Sequence, residues 1–188
     1  SARKRRRRSS AARRSSGTNI TFSITVIVRD SQMKQISRRG VFLGLGSNLN
    51  DREAYLENAI SQLDADENIQ VLMRSSILQT KALGDMAQPM YLNMVVEIET
   101  SLSPKELLNV CLEIEADNGR VRTEKWGPRT LDIDILFYGD EVVDTLGLRI
   151  PHPELIQRSF VLEPLAEIAP DFKHPKSKDS VLAMLQRL

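Results

Sequence analysis

Cysteine occurs once in this chain, tryptophan once and histidine twice. The lone Cys111 excludes an internal disulfide and is compatible with a reducing compartment, so cytoplasm is the default location. With only His152 and His174 beside it, a structural zinc site has too few ligands. No apolar run approaches the ~18–20 residues of a membrane span, which predicts a soluble chain. Evenly spread charge is also missing. Residues 1–40 hold 12 Lys/Arg against one acidic residue, Asp30, whereas residues 41–188 hold 14 against 24. These are two kinds of sequence, and the net charge of +1 hides the difference.

The basic part opens SARKRRRRSSAARRSSG, an Arg/Ser run with no apolar periodicity and nothing to bury, which predicts disorder. Its composition suits a transit peptide, which would address the chain to the mitochondrion, and also a nucleic-acid patch. ITFSITVIVRD follows and could form a strand. Met33 stands just ahead of the organised sequence, so residues 1–32 read as an upstream extension. We divide the chain into an N-terminal extension, 1–40, and one globular domain, 41–188.

From Val41 the punctuation becomes regular. VFLGLG is a short apolar run of strand type, ended by SNLN. Asn50 or Asp51 can cap a helix whose Leu56, Ala59, Ile60 and Leu63 recur at helical spacing. IQVLMRSSILQT (69–80) reads as one strand, 81–90 as a Gly/Pro-containing loop and YLNMVVEIET (91–100) as an alternating strand. Ser103-Pro104-Lys105-Glu106 is a capping box ahead of a stripe of Leu107, Leu108, Cys111 and Ile114, ended by Asn118-Gly119. TLDIDILF supplies a last strand. The order β-α-β-β-α-β predicts an α+β, ferredoxin-like fold: an antiparallel sheet with helices on one face, plus a C-terminal extension of short elements ending in a helix near Ser180–Arg187.

That last strand contains two charges. In extended backbone Leu131, Ile133 and Ile135 share one face and Asp132 and Asp134 the other, with the aspartate Cα atoms roughly 6.5–7 Å apart. An isolated pair of this kind is more often a wetted strand face than a ligand set. Here the preceding loop, GRVRTEKWGPRT (119–130), carries Arg120, Arg122, Lys125 and Arg129 around Trp126. These cations could neutralise the aspartates on the surface. They could also grip a polyphosphate whose other oxygens are held by divalent cations on the aspartates, a task for which the planar guanidinium fork is suited.

The segments LGSNL (45–49), YLN (91–93), GRVR (119–122), KWGPRTLDIDIL (125–136) and IPHPELIQRSFVLEPLAEIAP (150–170) together resemble 6-hydroxymethyl-7,8-dihydropterin pyrophosphokinase of folate biosynthesis. The resemblance runs from about Val41 to the C-terminus. It implies transfer of the terminal diphosphate of ATP to the hydroxymethyl oxygen of the pterin, with release of AMP. It further implies two Mg²⁺ ions on Asp132 and Asp134, and Arg120 and Arg129 acting on the phosphates. Arg122 and Trp126 would lie in a closing loop, and Glu115, Ile135, His152 and Arg158 at the ATP. For the pterin it implies stacking between Tyr91 and Phe160, edge recognition by Asn93, and backbone contacts at Thr80 and Leu83. Periodicity alone would make Tyr91 and Phe160 core residues, whereas Asn93 is a polar outlier among apolar neighbours. Asp132→Ala is expected to end turnover while costing little stability, since it relieves repulsion between like charges.

The chain departs from its relatives at Lys81, where many have proline, at Lys125, where arginine is frequent, and in a loop before Trp126 that is a residue shorter than in some. A nucleotidyltransferase is an alternative suggested by Gly46-Ser47 with Asp-x-Asp, but about 85 residues separate the two where such enzymes keep them close. The third possibility is a nucleic-acid binder acting through the basic arm, with no nucleic acid expected on the core domain. The acidic domain and the absence of heptads give no positive signal for an oligomer, and the oligomeric state stays open with a monomer as the default.

Overall fold

A computed structural model of the chain describes residues 37–81, 89–120 and 129–188. The expected arm and the ITFSITVIVRD strand lie outside these residues. The fold begins three residues before the boundary expected at Val41. Strand β1 runs Arg38–Ser47, with Arg38 paired to Thr100, and Ser37 and Arg39 both hydrogen-bond the Glu99 carboxylate.

Helix α1 (Arg52–Ala65) starts where the Asp51 carboxylate accepts from Ala54 N at 3.1 Å, and it buries Leu56, Ala59, Ile60 and Leu63. Strands β2 (Ile69–Arg74) and β3 (Leu78–Thr80) replace the single strand expected over 69–80. The break has a local cause. Ser75 donates its N–H to Val95 O while its hydroxyl accepts from Val95 N, and the Glu167 carboxylate takes the N–H and hydroxyl of Ser76. Side chains have taken over part of the ladder at these residues.

Strand β4 (Tyr91–Thr100) precedes α2 (Pro104–Asp117), whose N-terminus carries the expected Ser103/Glu106 capping box. Asn118 closes α2 and accepts from Asn58 Nδ2 at 2.8 Å, tying it to α1. Strand β5 (Asp132–Tyr138) completes an antiparallel sheet of order β2-β4-β1-β5, with β3 continuing beside β4. This is the ferredoxin-like arrangement, with the first strand central.

Side-chain alternation assigns each face its cover. Val41, Leu43 and Leu45 of β1, with Met94, Val96 and Ile133, form one core against α1 and α2. Phe42, Val95, Leu136 and Phe137 form a second core on the opposite face, under the C-terminal helices α3 (Ser159–Ile168) and α4 (Val181–Leu185). Phe172 packs edge-on to Phe42 there, with ring centroids 4.9 Å apart. A short hairpin, β6 (Val143–Thr145) and β7 (Leu148–Ile150), leads from β5 to those helices. Thus the C-terminal extension is a second helical layer, on the face of the sheet opposite α1 and α2. It covers only part of its face, and the uncovered part is a cleft. Among the described residues no helix is long and apolar enough to cross a membrane.

Candidate active site

Register explains the composition of the cleft floor. Gly46 of β1 pairs with Asn93 of β4 on one side and Asp132 of β5 on the other. Two residues back, Gly44 lies between Val95 and Asp134. Residues paired across a sheet point to the same face, so the floor is two rows, each with bare backbone at its centre. β1 runs through Gly46, the last residue of the apolar run VFLGLG, and ends one residue later at Ser47. The start of α3 overhangs this floor with Arg158 and Phe160.

Asp132 is enclosed by cations. Arg129 Nη1 donates to Asp132 Oδ2, and Arg120 Nη1 pairs with both Asp132 Oδ1 and Glu115 Oε1. Glu115 also accepts from Ile133 N at 2.8 Å. Asn48 fixes Arg129 from the other side: its Oδ1 accepts from Arg129 N at 2.7 Å, and its N–H donates to Arg129 O at 3.1 Å. Both arginines therefore have their backbones anchored beside the carboxylate, with their charge available to an anion that replaces it. Glu115, expected at the ATP, is buried behind β5 and lines neither of the clefts described here.

Asp134 has a different environment. Its Oδ2 stands 3.9 Å from His152 Nε2, and 42% of its side chain remains open. Despite that opening, surrounding protein atoms desolvate the carboxyl and raise its pKa, and the Asp132 charge adds to the rise; His152, Arg158 and Arg129 oppose it. Burial likewise lowers the pKa of His152 and keeps it neutral at neutral pH, against the pull of Asp134. A carboxyl whose folded pKa lies above its unfolded value near 3.8 favours the fold below that value, and the contribution is lost as pH rises through the folded pKa. Asp134→Asn should therefore raise the melting temperature of metal-free protein near neutral pH, with the gap closing as pH falls toward about 4. Solvent screening limits the gain to on the order of 1 kcal/mol. Thermal melts in chelator across that range test this; a variant less stable than wild type at neutral pH would refute it.

Two oxygen-only side chains on one strand face suit Mg²⁺, which needs one or two carboxylates and completes its shell with water and phosphate oxygens. Among the described residues no trio of His, Cys, Asp or Glu forms a complete protein cage for a metal, as zinc or calcium would prefer. The donor set fits a metal that arrives with a polyphosphate.

The four described residues of the expected pterin set converge on one cleft. Tyr91, Asn93, Thr80 and Phe160 all line it. Tyr91 and Phe160 are half-buried and face the opening, so the core role that periodicity suggested for them is corrected. Thr80 contributes its side chain, accepting from Asn93 Nδ2 at 2.8 Å and so fixing the amide. Lys81 stands at the same cleft. Leu83, Arg122 and Trp126 lie outside the described residues. A second cleft opens on the far side of Asp134, between α2 and the β6–β7 hairpin. Ile135 and His152 line it, together with Leu108, Thr145, Leu148 and Arg149, which sequence reasoning missed. Asp134 borders both clefts.

The family described as 7,8-dihydro-6-hydroxymethylpterin-pyrophosphokinase (HPPK) matches residues 42–170. A 2-amino-4-hydroxy-6-hydroxymethyldihydropteridine pyrophosphokinase of Synechocystis is 44% identical over 149 residues, covering 79% of this chain and 76% of the relative. The enzyme of that name from Methylorubrum extorquens is 49% identical over 130 residues, covering 69% and 82%. Among solved structures, wild-type Plasmodium falciparum HPPK-DHPS superposes with a TM-score of 0.62 at 14% identity, which speaks to fold alone. The match covers 83% of this chain and 42% of the Plasmodium chain, so this chain spans about two fifths of that protein. Family match, identity across most of the chain and the two-cleft site on a ferredoxin-like sheet agree: the chain belongs to the 7,8-dihydro-6-hydroxymethylpterin-pyrophosphokinase family.

Proposed function

We propose that this chain, as a cytoplasmic monomer, transfers the diphosphate of ATP to the hydroxymethyl group of 6-hydroxymethyl-7,8-dihydropterin and releases AMP, a step of folate biosynthesis. The observation that carries this reading is the position of Asp134, shared by an aromatic-lined cleft and a second cleft, with Asp132 and two arginines beside it. A flat acceptor in the first cleft and a nucleotide in the second would meet at the aspartates.

The reaction forms a bond from the hydroxymethyl oxygen to the β-phosphorus and breaks the bond from that phosphorus to the oxygen bridging α and β. AMP keeps the bridging oxygen, and the hydroxyl proton is lost. In such transfers protein groups do little covalent work, and alignment with charge neutralisation supplies the rate. Asp132 and Asp134 would hold two Mg²⁺ ions, which when bound neutralise phosphate charge and favour loss of the hydroxyl proton.

The remaining roles fall to side chains. Tyr91 and Phe160 clamp the ring by stacking, and Asn93, oriented by Thr80, reads its edge. Arg120 and Arg129 exchange Asp132 for phosphate oxygens. Arg158, held by Glu154 and positioned over Phe160 at 5.6 Å, reaches the same cleft from α3. The apolar walls of the second cleft, Leu108, Ile135 and Leu148, suit a nucleobase, with His152 and Arg149 at its rim.

The test is AMP release from Mg-ATP by the full chain, with and without the dihydropterin. AMP that depends on the pterin supports the reading. A folded sample that binds ATP and releases no AMP with this acceptor would reject it.

A further inference from the structure

Gly40, Gly119, Gly139 and Gly147 have positive φ and need glycine for that reason. Gly44 and Gly46 do not; they lie in the extended backbone of β1, where glycine is about 0.5–1 kcal/mol less favourable than alanine. Glycine retained in a strand against that cost marks a place where a ligand or another chain segment comes close. At Gly44 the neighbour is protein, since a Cβ would stand 3.3 Å from Leu136 Cδ2. At Gly46 a Cβ would meet, among the described residues, a single atom within 4 Å, Asn93 Oδ1 at 3.3 Å, and would otherwise project into the open cleft.

The place of that opening gives it meaning. Gly46 lies in register between Asn93, which reads the ring edge, and Asp132 at the phosphate end. Adjacent strands are about 4.8 Å apart, so roughly 10 Å of floor separates Asn93 from Asp132, with bare backbone in the middle. Resting on the acceptor assigned above, we propose that Gly46 determines acceptor specificity. Its missing side chain is the passage through which the alcohol arm of a flat heterocycle reaches the diphosphate, so the site accepts an unbranched primary alcohol and rejects one branched at that carbon.

Gly46→Ala tests this from the protein side. The expected result is a pterin KM raised about tenfold or more, the usual scale of one methyl group in a binding site. KM for ATP should change by less than about threefold, and the melting temperature should hold, because alanine suits extended backbone better. A general structural defect would move all three together. Wild-type full chain tests the same space from the ligand side: an acceptor with one methyl on the hydroxymethyl carbon should lose about tenfold or more in kcat/KM, and this arm decides if Gly46→Ala does not fold. If wild type turns over the parent pterin and both pterin KM in the variant and kcat/KM for the branched acceptor stay within about threefold, the inference about Gly46 is wrong and the function stands. If wild type releases no pterin-dependent AMP, the function and the inference fall together.

Discussion

Asp132→Ala is expected to lower kcat by about 10²–10³-fold, the scale seen when preorganised charge stabilisation is lost at a reacting centre. The fall should come without a comparable loss of ATP affinity, since the wall of the second cleft is built from other residues. The structure also changes what the substitution should do to folding. From sequence, two like charges on one strand face suggested that removing one would be nearly free. In the folded chain Asp132 is the shared acceptor of Arg120 and Arg129, both largely withdrawn from water, and deleting it leaves two guanidinium groups facing each other. Hydrogen bonds to charged groups are worth about 1.5–3 kcal/mol each, and a loss in that range is expected in urea unfolding of metal-free protein. Asp132→Asn keeps an oxygen acceptor and should recover part of the stability without recovering turnover. Single-turnover AMP release checks the kinetic claim. Activity within tenfold of wild type would remove Asp132 from the phosphate end of the site.

The two aspartates respond in opposite senses because their neighbours differ. Asp132 is held by arginines, so removing it takes a shared carboxylate from Arg120 and Arg129; Asp134 is desolvated beside a neutral His152, so neutralising it relieves the fold. Stability is given up at Asp134 to keep a carboxyl group between the clefts, a trade typical of functional positions.

What could be read from the sequence was what is local. The Ser103 capping box, the Asp51 cap and the stripe of Leu56, Ala59, Ile60 and Leu63 depend on neighbours within a few residues, and all are present. The common face of Asp132 and Asp134 follows from the two-residue period of a strand alone. The interruption at Ser75 could not be read this way, because it depends on Val95, 20 residues away, and on Glu167, 91 residues from Ser76. The same limit hid the cleft floor. Gly46 gains its role only when the register brings Asn93 and Asp132 to either side of it, 47 and 86 positions along the chain. The family resemblance supplied Tyr91 and Phe160, which periodicity had assigned to the core. It also placed Glu115 at the nucleotide; in the fold that residue holds Ile133 N and Arg120.

Glu115→Ala should be the most destabilising single change at the site. β5 is an edge strand, and its outward backbone groups must find partners beyond the sheet. His152 N supplies one by donating to Leu136 O, and the Glu115 carboxylate supplies another by accepting from Ile133 N. That carboxylate is 3% exposed and also holds Arg120, so it joins helix α2, the edge of β5 and the cation that faces Asp132. Truncation leaves a buried N–H and a buried guanidinium without this partner, and breaking such an arrangement from one side costs about 3–5 kcal/mol. Of a total stability that is typically about 5–15 kcal/mol, this is a large share. Glu115→Gln separates the two functions of the group. Its amide oxygen can still accept from Ile133 N, so most of the stability should return, while Arg120 loses its charged anchor and kcat should stay about tenfold or more below wild type. Urea unfolding and AMP release on both variants decide the matter. Full activity in the glutamine variant would show that Glu115 supports only the fold, and a stable alanine variant would show that β5 does not depend on it.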